Sequence, residues 1–237
     1  MTLELNNIRV AYSGKTVIRG ITVKARAGEL IALVGPNGSG KSSLLKAVTG
    51  LIPHEGQTNL PPDTRTRASS LAYLAQDATA PVRRKVRDIV ALGRTPHIGP
   101  LGKLTSNDDV IISDSLSRCD MSEFSDREFG TLSGGEQMRV HLARTFATQA
   151  QILLADEPVT ALDPYYQLTV MDALRGYAGK HRTVITALHD LNLARRYADR
   201  IWVIQDGILV KDHLPDEALD IETLAQVFRI TPDGQSL

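Results

Sequence analysis

Apolar and polar positions alternate at the start of the chain. Leu3, Leu5, Ile8, Val10 and Tyr12 follow a period near two, the pattern of a half-buried strand. Residues 21–25 and 30–34 are further β-rich runs set off by Gly14, Gly20 and Gly28, so the chain is predicted to open with a β-layer. Beyond residue 30, compact apolar runs alternate with amphipathic stretches. The runs at 71–75, 152–155, 183–188 and 201–205 suit strands buried on both faces of a parallel sheet. Helices are predicted at 43–49, 135–148, 164–177 and 191–197, with Asp163 as N-cap of the third and Pro164 in its first turn, where the missing N–H costs nothing.

Between residues 81 and 130 the pattern changes. A basic run (Arg83, Arg84, Lys85, Arg87) is followed by a Gly/Pro-rich turn at 93–102 and a predicted helix at 107–118 with Ser106 as its cap. Residues 81–130 therefore read as a small helical insertion within one α/β domain spanning 1–237. The apolar residues Ile89, Val90 and Leu92 are expected to pack inward, and a last helix is predicted at 221–228.

Composition narrows the partners. Lys plus Arg (27) cancels Asp plus Glu (27), so no global field draws the chain to nucleic acid, and no nucleic-acid partner is expected. Cys119 is the only cysteine, which rules out an intrachain disulfide and suits a reducing compartment. No run approaches the ~20 apolar residues of a membrane span, and the N-terminus lacks the features of a secretory signal. Work at a membrane would need spans from another chain.

Three segments carry chemistry. Gly35, Pro36, Asn37, Gly38, Ser39, Gly40, Lys41 and Ser42 form a G-x-x-x-x-G-K-[ST] loop between a strand and a helix starting near Ser43. Its glycines let backbone N–H groups curl around phosphate oxygens, Lys41 reaches the terminal phosphates, and Ser42 offers a hydroxyl to Mg²⁺. At the end of the strand at 152–155 stand Asp156 and Glu157. Successive strand residues face opposite ways, so Asp156 is assigned to the metal and Glu157 to the attacking water. The third segment, Leu132, Ser133, Gly134, Gly135 and Glu136, is a Gly-Gly turn opening a helix, a second anion-binding N-terminus.

With these segments the sequence resembles the ATP-binding subunits of ABC transporters, whose signature is LSGG followed by Gln or Glu. The resemblance implies a P-loop NTPase (RecA-like) core with an antiparallel β-subdomain and a small α-helical subdomain, using ATP and Mg²⁺. It makes Tyr12 the residue that stacks on adenine and Gln76 the Q-loop glutamine, near both the metal and the γ-phosphate. Thr160 to Asp163 resembles the D-loop and His189 the switch histidine. The implied catalytic set is Glu157, His189 and Gln76, with the metal at Ser42, Gln76 and Asp156. Nucleotide contacts are implied for Tyr12, the loop from Gly35 through Ser43, Ser133 to Glu136, and Asp163.

In that family two cassettes pair head to tail, each nucleotide lying between the phosphate loop of one and the signature of the other. The resemblance further implies an integral membrane permease, a periplasmic or surface substrate-binding protein, and a peripheral position on the cytoplasmic face of the cell membrane. The stretch Ala91, Leu92, Gly93, Arg94, Thr95, Pro96 and His97 is similar to that of importers for iron-siderophores, haem and vitamin B12. The segment from Gln76 to His97 is expected to dock the permease through exposed Arg87 and Arg94. A cassette moving another solute, a soluble ABC ATPase acting on ribosomes or DNA, and a nucleotide kinase are the alternatives. The last leaves the LSGGE turn and His189 unexplained. Glu136 in place of the commoner Gln, Val159 and Thr160 in place of Thr and Ser, and a short polar stretch at 51–70 depart from the family pattern.

Overall fold

The structure is a computed structural model and describes residues 1–99, 102–160, 162–179 and 181–230. Strands β1 (Leu3–Tyr12) and β2 (Lys15–Ala25) form a hairpin through Ser13 and Gly14, both at positive φ (47° and 83°), the geometry that matches strand twist in a two-residue turn. Tight pairing of Tyr12 with Lys15 extends β2 well before the predicted residue 21. After β3 (Leu30–Val34), the short polar strand β4 (Glu55–Thr58) joins β1 to complete a three-stranded antiparallel sheet.

The second sheet adds β5 (Leu71–Leu74), β6 (Ile152–Asp156), β7 (Thr183–Ala187), β8 (Arg200–Gln205) and β9 (Ile208–His213), in the order β5-β6-β7-β3-β8-β9. All neighbours are parallel except β9, which returns antiparallel along β8. Strands β3, β6 and β7 are buried throughout, and their alternate residues feed two cores. Ile31, Leu33, Leu154 and Ile185 face the antiparallel sheet and helix α1 (Lys41–Thr49). Leu30, Ala32, Leu153 and Val184 face the helices on the opposite side.

Those helices include α3 (Val86–Ala91), α4 (Ser106–Arg118), α5 (Gly134–Ala147), α6 (Pro164–Ala178) and α7 (Leu191–Tyr197), which all contribute to this second core, while the short helix α2 (Thr64–Ser70), just before β5, buries no residue. Two short helices, α8 (Pro215–Ala218) and α9 (Ile221–Gln226), end the described chain. Two caps differ from expectation. Thr105, not Ser106, caps α4, in a reciprocal box with Asp108. Asp163 occupies the N-cap position of α6, with Pro164 in its first turn, but its side chain makes no capping bond. No helix among the described residues is long and apolar enough to cross a membrane.

The helical insertion packs on α5, and its Val86, Ile89, Val90, Ile112 and Leu116 belong to the same core as the sheet. Residues 92–97 form a 3₁₀ helix rather than a turn; residues 100 and 101 of the predicted turn lie outside the described residues. Gly93 explains the change: a Cβ there would stand 2.2 Å from the Arg144 carbonyl oxygen, so only glycine lets this backbone lie on α5. The tighter turn then rotates Leu92 outward to 54% exposure, against the expected inward packing. Arg94 is also misplaced by the sequence reading. It is buried at 5% exposure, pairs with Asp108 at 2.7 Å, and donates to the Ala147 carbonyl at 2.7 Å. With His97 against the Thr148 carbonyl at 2.7 Å, this motif fastens the insertion to the C-terminal end of α5.

Candidate active site

The phosphate loop joins β3 to α1. A Cβ at Gly35 would meet the Ile204 carbonyl oxygen at 2.0 Å, so the loop leaves the sheet through a point closed to other residues. Helix α1 starts after Gly40 (φ 105°) with no side-chain cap, which leaves first-turn N–H groups and the positive end of the helix dipole for an anion. Lys41 is buried, its ammonium donating to the Gly35 and Pro36 carbonyls at 2.8 and 3.2 Å. Burial lowers its pKa, while the carboxylates of Glu157 and Asp156 act in the other direction. The Ser39 hydroxyl is buried in the same loop without a hydrogen-bond partner. A phosphate oxygen would satisfy it, and so the loop fits the ligand expected of it.

Parallel pairing brings the other groups to the same edge. Leu33 of β3 stands opposite Ala187 of β7, which stands opposite Asp156 of β6, while Leu74 of β5 pairs with Ala155. The residues following these strands therefore converge beyond their carboxyl ends. Ser42 donates to Asp156 Oδ1 at 2.9 Å, and Tyr73 donates to Oδ2 at 3.0 Å. Glu157, the residue after β6, lies in the left-handed region (φ 52°), a conformation costing about 1–2 kcal/mol for a residue with a Cβ. There its carboxylate accepts from Gln76 Nε2 at 2.8 Å, Thr160 Oγ1 at 3.2 Å and His189 Nε2 at 2.5 Å. Three candidates separated widely in sequence thus meet on one carboxylate.

A cleft of about 220 Å³ runs from Asn37 to Ser43 and is closed by Glu157, His189 and Val17. Val17 was not among the candidates, and neither was Tyr73. Both lie on strands whose site role comes only from pairing across the fold. Tyr12 stands at the exposed end of β1 and does not line this cleft. Gln76 reaches Glu157 rather than the Ser42–Asp156 pair. Among the described residues no cluster of three or more His, Cys, Asp or Glu is arranged to hold a metal; the Ser42 hydroxyl and one Asp156 carboxylate fit an ion such as Mg²⁺, which takes few protein oxygens beside water and phosphate.

The LSGGE turn does not join this cleft. Ser133 and Gly134 are exposed, and Ser133 and Glu136 form a reciprocal capping box, Ser133 N–H donating to the Glu136 carboxylate at 2.7 Å and Glu136 N–H to the Ser133 hydroxyl at 3.3 Å. The Ser133 backbone bond is the first cause holding the Glu136 carboxyl below its ordinary range. Asp163 is exposed; Ala161 of the same loop lies outside the described residues.

Residues 18–160 match the ABC transporter family. The chain belongs to that family. It is 40% identical over 243 residues to the hemin import ATP-binding protein HmuV of Pseudomonas aeruginosa, covering 95% of this chain and 92% of the relative. It is 36% identical to the cobalamin import ATP-binding protein BtuD of Halobacterium salinarum (96% of this chain, 59% of that one). With the petrobactin import ATP-binding protein FpuC of Bacillus anthracis it shares 33% identity (98% and 88%). A transporter described as metal-chelate type, in an inward-facing conformation, superposes with a TM-score of 0.85 at 26% identity, covering 97% of this chain and 90% of that one. A dimeric bacterial ABC cassette, MJ0796, superposes with a TM-score of 0.77 at 25% identity (90% and 98%). As an ABC cassette the chain binds nucleotide and hydrolyses ATP on a P-loop NTPase fold.

Proposed function

We propose that two copies of this cassette pair head to tail on the cytoplasmic face of the membrane and drive import of a metal chelate such as iron-siderophore, haem or cobalamin. An integral membrane permease supplies the path, and a periplasmic or surface substrate-binding protein delivers the cargo. The names of the relatives support the cargo class, all three being import subunits for compounds of this kind. One structural observation carries the pairing. The capped, exposed N-terminus of α5 is absent from the cleft formed by Lys41, Glu157 and His189 of its own chain. A second copy supplies that anion-binding end to close each site, and the self-complementary arrangement gives a closed two-fold pair with two nucleotides.

The residues divide the work. Lys41 exchanges the Gly35 and Pro36 carbonyls for the terminal phosphates, while the α1 N-terminus and Ser39 receive the remaining oxygens. Ser42 and Asp156 would hold Mg²⁺, which when bound neutralises charge on the phosphate oxygens. Glu157 accepts a hydrogen bond from the attacking water, His189 orients that carboxylate, and Gln76 releases it when the site closes. Tyr12 stacks on the base, and Asp163 faces the partner copy. Loss of the γ-phosphate contacts on hydrolysis loosens the pair and moves the permease.

Mixing two inactive variants tests the pairing. Lys41→Ala lacks the phosphate loop's cation, and Ser133→Glu places charge at the signature. In a mixed head-to-tail pair one site has neither lesion, so ATPase activity should return on mixing. Absence of recovery, with mixed dimers present by sizing and mass, would refute the shared site. Copurification with permease and binding protein, with bound cargo identified by mass spectrometry, tests the import assignment. A non-chelate solute would overturn it.

A further inference from the structure

Asp156 is almost wholly buried, and its two oxygens are held differently. Ser42 of α1 donates to Oδ1, whereas Oδ2 accepts from Tyr73 at 3.0 Å. Tyr73 lies on β5 opposite Leu154, two residues before Asp156 on the neighbouring strand. Two residues along a strand span roughly 6–7 Å, a distance a tyrosine side chain crosses when it leans along the sheet face it shares with its neighbour. Tyr73 packs against the same core as Leu154, on the side of the sheet that carries α1. The phenol thus reaches the carboxylate oxygen that Ser42 does not hold.

We propose that Tyr73 is a positioning residue for nucleotide-dependent divalent-metal binding, fixing the plane of the Asp156 carboxylate so that Oδ1 stays with Ser42. The proposal rests on the reading of Ser42 and Asp156 as the metal holders. The Tyr73 hydroxyl is the donor that holds Oδ2, the oxygen that Ser42 leaves free. Without that donor, Oδ2 would be a buried acceptor free to rotate into Ser42's place, and metal binding would have to restore the order. Tyr73 also borders a groove of about 220 Å³ shared with Leu92, Pro96 and Arg144, so this residue meets the site on one side and the helical insertion on the other.

Tyr73→Phe removes the hydroxyl and keeps the ring. Binding of a non-hydrolysable ATP analogue in EDTA should be unchanged. Mn²⁺ affinity in the presence of the analogue, read by electron paramagnetic resonance, should fall about tenfold, the loss of one hydrogen bond to a charged group. In an Asp156→Asn background the same substitution should have no further effect on Mn²⁺ affinity, because the carboxylate it orients is gone. Equal Mn²⁺ affinity in wild type and Tyr73→Phe, or additive losses in the double variant, would overturn the positioning role alone. A wild type that binds the analogue but no Mn²⁺ would overturn the metal-site reading and the proposal together.

Discussion

Gln76 donates its side-chain amide to Glu157 Oε2 at 2.8 Å, the oxygen that also accepts from Thr160, while His189 occupies Oε1. Both oxygens of the residue proposed to receive the water are therefore engaged. Three of the roughly four acceptor positions of a carboxylate are filled, and one of the three donors, Gln76, belongs to the segment after β5, which links that segment to the carboxylate. Glu157→Gln replaces the acceptor with an amide but keeps the size and the nearby hydrogen-bonding groups. Turnover should fall by about 10²- to 10³-fold, with ATP affinity close to wild type. A coupled ATPase assay beside nucleotide titration checks this. Wild-type turnover would remove Glu157 from the catalytic role.

Lys41 gives a second expectation. Its ammonium now bonds to two loop carbonyls, and among the described residues lining the cleft it is the only lysine or arginine. Lys41→Ala removes a charged donor to phosphate and should weaken ATP binding by about 10- to 100-fold. Fluorescent-nucleotide titration measures it directly. Unchanged affinity would place the phosphates elsewhere.

The site was legible where it is local. The loop from Gly35 to Ser42 and the adjacent Asp156 and Glu157 depend on a strand, a turn and a helix start, all written in neighbouring residues. Tyr73 was missed because its role depends on β5 lying beside β6, with the two partners 83 residues apart. The left-handed backbone of Glu157 carries no signal in residue type. Strand β4 escapes a pattern-based reading because an edge strand exposed to water needs little apolar pattern, and its sequence Glu-Gly-Gln-Thr has none. Arg94 was read as a surface charge because most arginines are exposed. Only the fold shows the buried Asp108 that receives it.

Arg94 and Arg87 now have opposite expectations. Arg94 and Asp108 are both buried, and Thr105 also donates to Asp108 through its backbone N–H and hydroxyl, the first causes that push this carboxyl down to about 2. Arg94→Glu sets a second carboxylate against it and should destabilise the fold by about 3–5 kcal/mol, the scale for breaking a buried pair. Arg87 pairs with Asp109 at 2.7 Å, but both side chains are half exposed, and Arg87→Glu should cost less than about 1 kcal/mol. Urea unfolding of the two variants separates these cases. If Arg87→Glu also weakens copurification with the permease while ATP binding persists, the exposed end of α3 is a docking contact. Similar midpoints for both variants would contradict the structural role assigned to Arg94.

His141 connects stability to pH. It lies buried on α5, its ring edge-on to Phe129 at 5.2 Å between centroids, with neither ring nitrogen hydrogen-bonded. Burial, and secondarily the nearby Arg144 charge, hold its pKa down to about 4, against 6.5 for an ordinary histidine. Between those values the unfolded chain takes up a proton that the folded chain refuses. The stability contributed by the neutral ring is thus complete above about pH 6.5 and declines as the pH falls towards 4. Going from pH 8 to pH 5 should cost about 2 kcal/mol through this one group. His141→Leu cannot take up the proton and should lack that part of the decline, while carboxylates that titrate in both proteins cancel in the comparison. Urea midpoints at the two pH values measure the difference. Parallel pH profiles for wild type and His141→Leu would show that the ring is free to protonate in the folded protein.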